Sequence, residues 1–377
     1  MRDFTIDIDE SELDDLRRRL AHVRFPEKET VDDWSQGIPL AYVRELTEYW
    51  RDSYDWRRCE AALNAYPHHL VEIDGVDIHF LHIRSPRDDA KPLILTHGWP
   101  GSVIEFLDVI EPLTKPPESE PAFHLVIPSL PGYGFSGKPT ETGWSVQKIA
   151  EVWHKLMTAL GYDGWFAQGG DWGAMVTTMI GAQDRGGVKG IHVNMTVATP
   201  PPEVMENPTE EEQGALARLA QYRATGAGYS TQQASRPQTI GYALADSPVG
   251  QMAWIVEKFQ DWSDCAEGKE WGHPEPEFSK DHLLDNVMLY WLNNAGASSA
   301  RLYWHSFAKP DMSTVDIPTG ISIFPHEIMR ASRRWAETRY KNIVYWNAPE
   351  RGGHFAAMER PEQFVDELRA CFRGRMC

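Results

Sequence analysis

The sequence predicts an α/β protein with a mostly parallel sheet, a helical cap inserted late in that sheet, and an N-terminal segment wrapped around it. Three observations predict this. From residue 92, short apolar runs alternate with helix-length segments, the pattern of a parallel sheet covered by helices on both faces. Between about residues 199 and 306 that alternation stops, and only helical patterns and polar loops follow. Before residue 91 the rhythm differs again, with two amphipathic helices and one hairpin. The expected divisions are an N-terminal segment (1–90), the first part of the core (91–198), a helical cap (199–306) and the second part of the core (307–377).

The elements follow in chain order. Ser11-Glu-Leu-Asp14 reads as a helix N-cap with an acidic residue three positions on. Leu13, Leu16 and Leu20 then repeat at helical spacing, and Tyr42, Leu46, Tyr49 and Trp50 mark a second helix. Residues 70–83 alternate, and Asp74-Gly75 between the two arms is a strong hairpin signal. The strand-like runs of the core are 92–96, 123–128, 165–168, 188–195, 317–324 and 342–346. Ile149, Trp153, Leu156, Met157 and Leu160 form a helical stripe between the second and third. The insertion begins at Pro200-Pro-Pro202.

Composition excludes several classes. With 377 residues, 42% hydrophobic and 24% charged, the chain is an ordinary globular protein, long enough to bury its own core. The net charge of −18 argues against nucleic acid and against an anionic membrane surface, and suits a neutral substrate. No apolar run reaches the roughly 18 residues of a membrane span, and the N-terminus lacks a signal pattern. Cys59, Cys265, Cys371 and Cys377 are scattered without metal or disulfide spacing. A cytoplasmic protein with no metal or organic cofactor is expected. A homodimer is left open.

The chemistry centres on Gly169-Gly-Asp171-Trp-Gly173, between a strand-like run and a helix-like one. This is the G-x-S-x-G elbow with aspartate in place of serine. Small neighbours are needed because strand and helix backbones come close at such a turn. Gly-rich turns containing Asp are common, so the weight comes from the other strand ends. His97-Gly-Trp-Pro-Gly-Ser102 follows the run 92–96. Its Trp99 N–H, with the Trp172 N–H beside the elbow, would form a two-donor oxyanion hole. The Trp99-Pro100 bond is a candidate cis peptide, and the His97 side chain is expected only to pack the turn. After the last strand comes Gly352-Gly-His354-Phe355, which places His354 as a base on a loop. The order nucleophile, acid, histidine is that of the α/β-hydrolases. The acid must then lie after a late strand, and Glu327 does; Asp311 and Asp316 precede that strand, at its wrong end.

Aspartate changes the reaction. Attack on an acyl group would give an anhydride, whereas a carboxylate that displaces a leaving group at saturated carbon gives an ordinary ester. Water activated by histidine can hydrolyse that ester at its carbonyl. The leaving group is then an epoxide oxygen or a halide. An epoxide oxygen needs a protonated donor such as tyrosine; a halide needs only weak donors such as indole. The cap offers both. Tyr222, Tyr229, Tyr242, Tyr290 and Tyr303 lie in it, as do Trp254, Trp262, Trp271, Trp291 and Trp304. Composition alone does not choose.

The chain resembles the epoxide hydrolases of the microsomal type, in their soluble bacterial form, along nearly its whole length. The N-terminal motifs are Arg24-Phe-Pro-Glu27, Asp33-Trp34, Gly37 and Tyr54-Asp-Trp-Arg57. Those of the core are His97 to Ser102, Pro131-Gly-Tyr-Gly-Phe-Ser136, Gly169 to Gly173, Phe324-Pro-His-Glu327 and Gly352-Gly-His-Phe355. Gly228-Tyr229-Ser and Ser298-Ser-Ala-Arg-Leu-Tyr303 resemble the two cap segments that carry epoxide-binding tyrosines. The resemblance implies an α/β-hydrolase fold, and Asp171 as nucleophile with Glu327 and His354 as the water-activating pair. It also implies Tyr229 and Tyr303 on the epoxide oxygen. The membrane-bound relatives begin with an apolar anchor that this sequence does not show. A small, neutral, apolar or aryl epoxide is the expected substrate. Haloalkane dehalogenase is the alternative chemistry, and a catalytically silent ligand-binding protein on the same fold the alternative class. His354 must be neutral to act as base, so activity is expected to fall as pH drops through its pKa.

Overall fold

The computed structural model describes residues 1–265, 273–275 and 277–374. Trp271 and Cys377 lie outside the described residues. Nine strands form one sheet: β1 (Arg2–Phe4), β2 (His68–Ile73), β3 (Val76–Ile83), β4 (Lys91–Thr96), β5 (Phe123–Pro128), β6 (Trp165–Gly169), β7 (Val188–Val193), β8 (Thr319–Ser322) and β9 (Ile343–Asn347). Their spatial order is β1-β2-β3-β5-β4-β6-β7-β8-β9. The six strands from β5 to β9 in that order run parallel, and β1, β2 and β3 add an antiparallel margin.

The central strands read as apolar runs because both of their faces are covered. Leu93, Ile94 and Leu95 on β4, and Leu125, Val126 and Ile127 on β5, are fully buried. The hairpin forms at its Asp-Gly turn, where Asp74 and Gly75 take φ of 52° and 80°. Two consecutive left-handed residues make the tight turn whose twist matches its strands.

Three details differ from the sequence reading. The first helix (Glu10–Ala21) is capped by Asp9, whose side chain accepts from the Ser11 N–H, and not by Ser11 itself. The hairpin counted with the N-terminal segment pairs into the central sheet, Phe80 opposite Pro128, so the sheet crosses residue 90. The run 317–324 yields only the four-residue β8, bracketed by Pro318 and Pro325, which have no N–H to donate.

Between β7 and β8 the described residues are helical. Helices Glu210–Gln221, Gly228–Ser235, Pro237–Asp246, Pro248–Asp261, Lys280–Trp291 and Gly296–Phe307 lie over the C-terminal ends of the parallel strands. In open α/β sheets that edge is where ligands bind. No helix among the described residues is long and apolar enough to cross a membrane.

Candidate active site

The elbow follows β6 directly. Asp171 opens the helix Asp171–Gln183 with φ of 50°, a left-handed conformation that strains any residue with a Cβ. Close approach explains the glycines. A Cβ on Gly173 would strike the Thr96 carbonyl, and one on Gly98 would strike the Asp171 carboxylate. The turn after β4 thus lies against the carboxylate. Its Trp99 N–H donates to Asp171 Oδ1 at 2.7 Å. The Trp99-Pro100 bond is cis. Trp172, second residue of the helix, carries one of the first-turn N–H groups that no intrahelical carbonyl can reach.

On the other side of Asp171 stands His354. Its Nε2 is 3.4 Å from Asp171 Oδ2, and its Nδ1 is 2.8 Å from Glu327 Oε1. Glu327 is fully buried and also accepts from the Ile328 N–H at 2.7 Å. Burial alone pulls the imidazolium pKa down. The Glu327 and Asp171 carboxylates outweigh it and hold His354 well above its ordinary value. The two carboxylates thus both favour the protonated form of the imidazole between them. The competitors lie elsewhere: Asp311 accepts from Ser313 in its own turn, and Asp316 is exposed. His97 packs the turn after β4. Its Nδ1–H donates to the Gly98 carbonyl, its Nε2 accepts from the Leu130 N–H, and burial lowers its pKa to about 4.

The cap closes over these groups with aromatic rings. Tyr229 stacks on Trp99 at 4.8 Å between centroids, and Tyr303 meets Trp172 edge-on at 4.6 Å. The two tyrosine rings stand 5.8 Å apart. Burial first, then the neighbouring tyrosines and the Asp171 charge, raise both phenols well above their ordinary value, so they remain protonated donors. The Tyr303 hydroxyl is buried with no hydrogen-bond partner among the described residues. Of the other cap tyrosines, Tyr242 is exposed, Tyr290 donates to the Gly101 carbonyl, and the Tyr222 hydroxyl lies 3.0 Å from that of Tyr229. The site is closed, with Trp99, Trp172, Tyr229, Tyr303 and His354 each no more than 5% exposed.

Sequence reasoning missed Arg218 and Asp264 here, and named Trp262 only among the cap indoles that could serve a halide. Trp262 accepts the His354 N–H on its carbonyl at 2.9 Å, and its ring lies 4.9 Å from the imidazole. Arg218 donates to the carbonyls of His326 and Glu327, tying a cap helix to the loop of the acid. Asp264 accepts from Arg351, from Arg360 at 3.0 Å and from the Gly352 N–H at 3.1 Å, and so fixes the loop of His354. None carries a local motif. Each is defined by a loop distant in sequence.

Comparison with known proteins shows the family and the fold. Residues 1–106 match the family described as epoxide hydrolase N terminus, and residues 91–361 match the alpha/beta hydrolase fold. A relative from Stigmatella aurantiaca is 52% identical, covering 98% of this chain and 84% of its own. Epoxide hydrolase 1 of Oryctolagus cuniculus is 34% identical, over 98% of this chain and 88% of its own. Among solved structures, juvenile hormone epoxide hydrolase from the silkworm Bombyx mori superposes with a TM-score of 0.94 at 31% identity, covering 99% of this chain and 94% of that one. Aspergillus niger epoxide hydrolase does so with 0.89 at 33%, covering 98% and 95%. The chain belongs to the epoxide hydrolases, in the branch that joins this N-terminal region to an α/β-hydrolase core.

Proposed function

We propose that the chain converts an epoxide and water to a vicinal diol through a covalent ester on Asp171. The observation that carries this reading is the position of Asp171: one oxygen on the Trp99 N–H, the other facing His354, under two protonated tyrosines. Asp171 Oδ2 attacks an epoxide carbon. The C–O bond breaks toward the oxygen as Tyr229 and Tyr303 donate to it. Esterification removes the negative charge of Asp171, so the imidazolium loses one of the two carboxylates that hold its proton. The imidazolium then gives up its proton to solvent, and the neutral His354 is the base that takes a proton from the attacking water. Glu327 keeps the imidazole oriented through Nδ1. The hydroxide attacks the ester carbonyl, and the Trp99 and Trp172 N–H groups stabilise the oxyanion. The aromatic lining suits a small, neutral, apolar or aryl epoxide.

One observation keeps halide chemistry in the test. The indole N–H groups of Trp172 and Trp262 are buried without partners among the described residues, and a halide would accept from such donors. The protein is incubated with styrene oxide and, separately, with a primary bromoalkane, and diol and bromide are measured. Diol that disappears in Asp171→Ala is the expected result. Bromide without diol would move the enzyme to dehalogenation and remove the roles of Tyr229 and Tyr303.

A further inference from the structure

The two tyrosines over Asp171 are not equivalent. The Tyr303 hydroxyl has no partner among the described residues, so its hydrogen is free for substrate. The Tyr229 hydroxyl is 3.0 Å from that of a third tyrosine, Tyr222. Tyr222 opens a π-helical turn, Tyr222–Gly226, closed by the Ala227 N–H on the Tyr222 carbonyl at 2.8 Å. The wider turn sits between the cap helices Glu210–Gln221 and Gly228–Ser235, and the chain around it brings two side chains seven residues apart to one point. Such single π turns inside helices are frequent at functional sites.

Exposure supplies the second observation. Tyr229 is 5% exposed and sealed beneath the cap, whereas Tyr222 is only part-buried. Tyr222 also lines a cleft of about 50 Å³, with Arg218, Gln221, Thr225, Asp261 and Trp262. That space holds a water or more, since one needs about 10–15 Å³. The Tyr229 and Tyr222 hydroxyls thus lead from the site toward a cleft with room for water.

The reaction needs such a path. When the epoxide opens, its oxygen takes a proton, and a tyrosine that gives one is left as a phenolate beneath a closed cap. We propose that Tyr222 is a positioning residue that orients Tyr229 and returns its proton. This rests on the reading of Tyr229 as a donor to the epoxide. Either hydroxyl can donate across this contact; once the Tyr229 hydrogen goes to the epoxide oxygen, Tyr222 donates to Tyr229 Oη in turn, and the chained bonds polarise one another. The balance is closed. The alkoxide takes the Tyr229 proton, Tyr229 takes the Tyr222 proton, and Tyr222 takes one from water in the cleft. The hydroxide left in solvent is neutralised by the proton that the His354 imidazolium gives up once Asp171 is esterified; the proton it then takes from the attacking water restores the starting state. Tyr303, whose neighbouring phenol is Tyr229 itself, has no separate route to the cleft and holds the oxygen by hydrogen bonding alone.

The test uses the full chain with styrene oxide, in water and in deuterium oxide, for Tyr222→Phe, Tyr229→Phe, the double variant and Tyr222→His. The Phe variants keep each ring and remove only the hydroxyl, and folding is followed by circular dichroism. Tyr222→Phe is expected to lower kcat about tenfold with KM within about twofold, less than the 10²–10⁴ of removing an acid itself. It should also shrink the solvent isotope effect on single-turnover ester formation. The double variant should be no slower than Tyr229→Phe, because Tyr222 acts only through Tyr229. Tyr222→His, which keeps a ring that can carry a proton, should recover part of the rate. Wild-type kcat in Tyr222→Phe, or additive losses in the double variant, would overturn the relay and leave the role of Tyr229 standing. Wild-type kcat in Tyr229→Phe would overturn both.

Discussion

Replacing Asp171 by Asn tests the charge logic of the site directly. Asn is nearly the shape of Asp and is neutral, as the ester intermediate is. In the resting enzyme the carboxylate oxygen lies 3.4 Å from His354 Nε2. Two unit charges at that separation attract by about 5 kcal/mol at an effective dielectric of about 20. Each 1.36 kcal/mol is a tenfold change in a protonation equilibrium, so the loss is large. What remains is burial, which disfavours the imidazolium, against Glu327 at 2.8 Å, which favours it. His354 in Asp171→Asn should therefore give up its proton at clearly lower pH than in the wild type. The measurement is an NMR titration of the labelled imidazole in both proteins. A midpoint that stays put or rises in the variant would refute the idea that alkylation switches His354 into a base. The sequence expectation, that activity falls as pH drops through the His354 pKa, keeps its sign and refers to the alkyl-enzyme. The raised value of the resting enzyme describes a state before chemistry. Ester hydrolysis should fall as pH drops through the lower midpoint of the alkyl-enzyme, while ester formation tolerates the imidazolium.

Three further outcomes are expected. Asp171→Gly and Asp171→Ala both lack the nucleophile, but only Ala retains a Cβ at φ of 50°; Gly should be the more stable by about 1 kcal/mol in urea unfolding. Burial raises the Asp264 carboxyl, but Arg351 beside it and the Gly352 N–H hold it below the usual carboxylate range. Its latch is then complete at neutral pH and lost as pH falls through that lowered value; Asp264→Asn should cost about 2 kcal/mol and reduce kcat by loosening the His354 loop. Thr209 and Glu212 form a capping box on the helix Glu210–Gln221, and Thr209→Ala should cost about 1 kcal/mol in the same unfolding assay.

Legibility followed locality. Asp74-Gly75 could be read because the turn type demands left-handed residues at two adjacent positions, and the chain supplies them. Asp171 could be read because strand, turn and helix are contiguous and the glycines answer to backbone contacts within a few residues or one strand away. Glu327 could be placed by the rule that ligands bind where parallel strands end, even though β8 is only four residues long. Asp9 was missed as a cap because Ser11-Glu-Leu-Asp14 satisfies the same local pattern two residues later. Only the surrounding fold decides between them. The pairing of β3 with β5 was invisible for the same reason, since no residue of a hairpin edge states which strand it will join. Trp262, Arg218 and Asp264 act through backbone carbonyls, amide N–H groups and ion pairs some 90 to 110 residues away, and such contacts leave no spacing to detect.

These distant contacts make the cap part of the catalytic apparatus and more than a cover. Trp262 holds the backbone of His354, and Arg218 holds the backbone around Glu327. The same two residues line the cleft that reaches Tyr222. The helices bearing Tyr229 and Tyr303 pack on each other, so the tyrosines are placed as a pair. A substrate must nevertheless pass the rings of Trp99, Trp172, Tyr229 and Tyr303, each no more than 5% exposed. Opening at the Trp262 and Arg218 contacts would release the two loops that carry the acid and base. Opening at the tyrosine pair would leave those loops in place and remove only the epoxide donors.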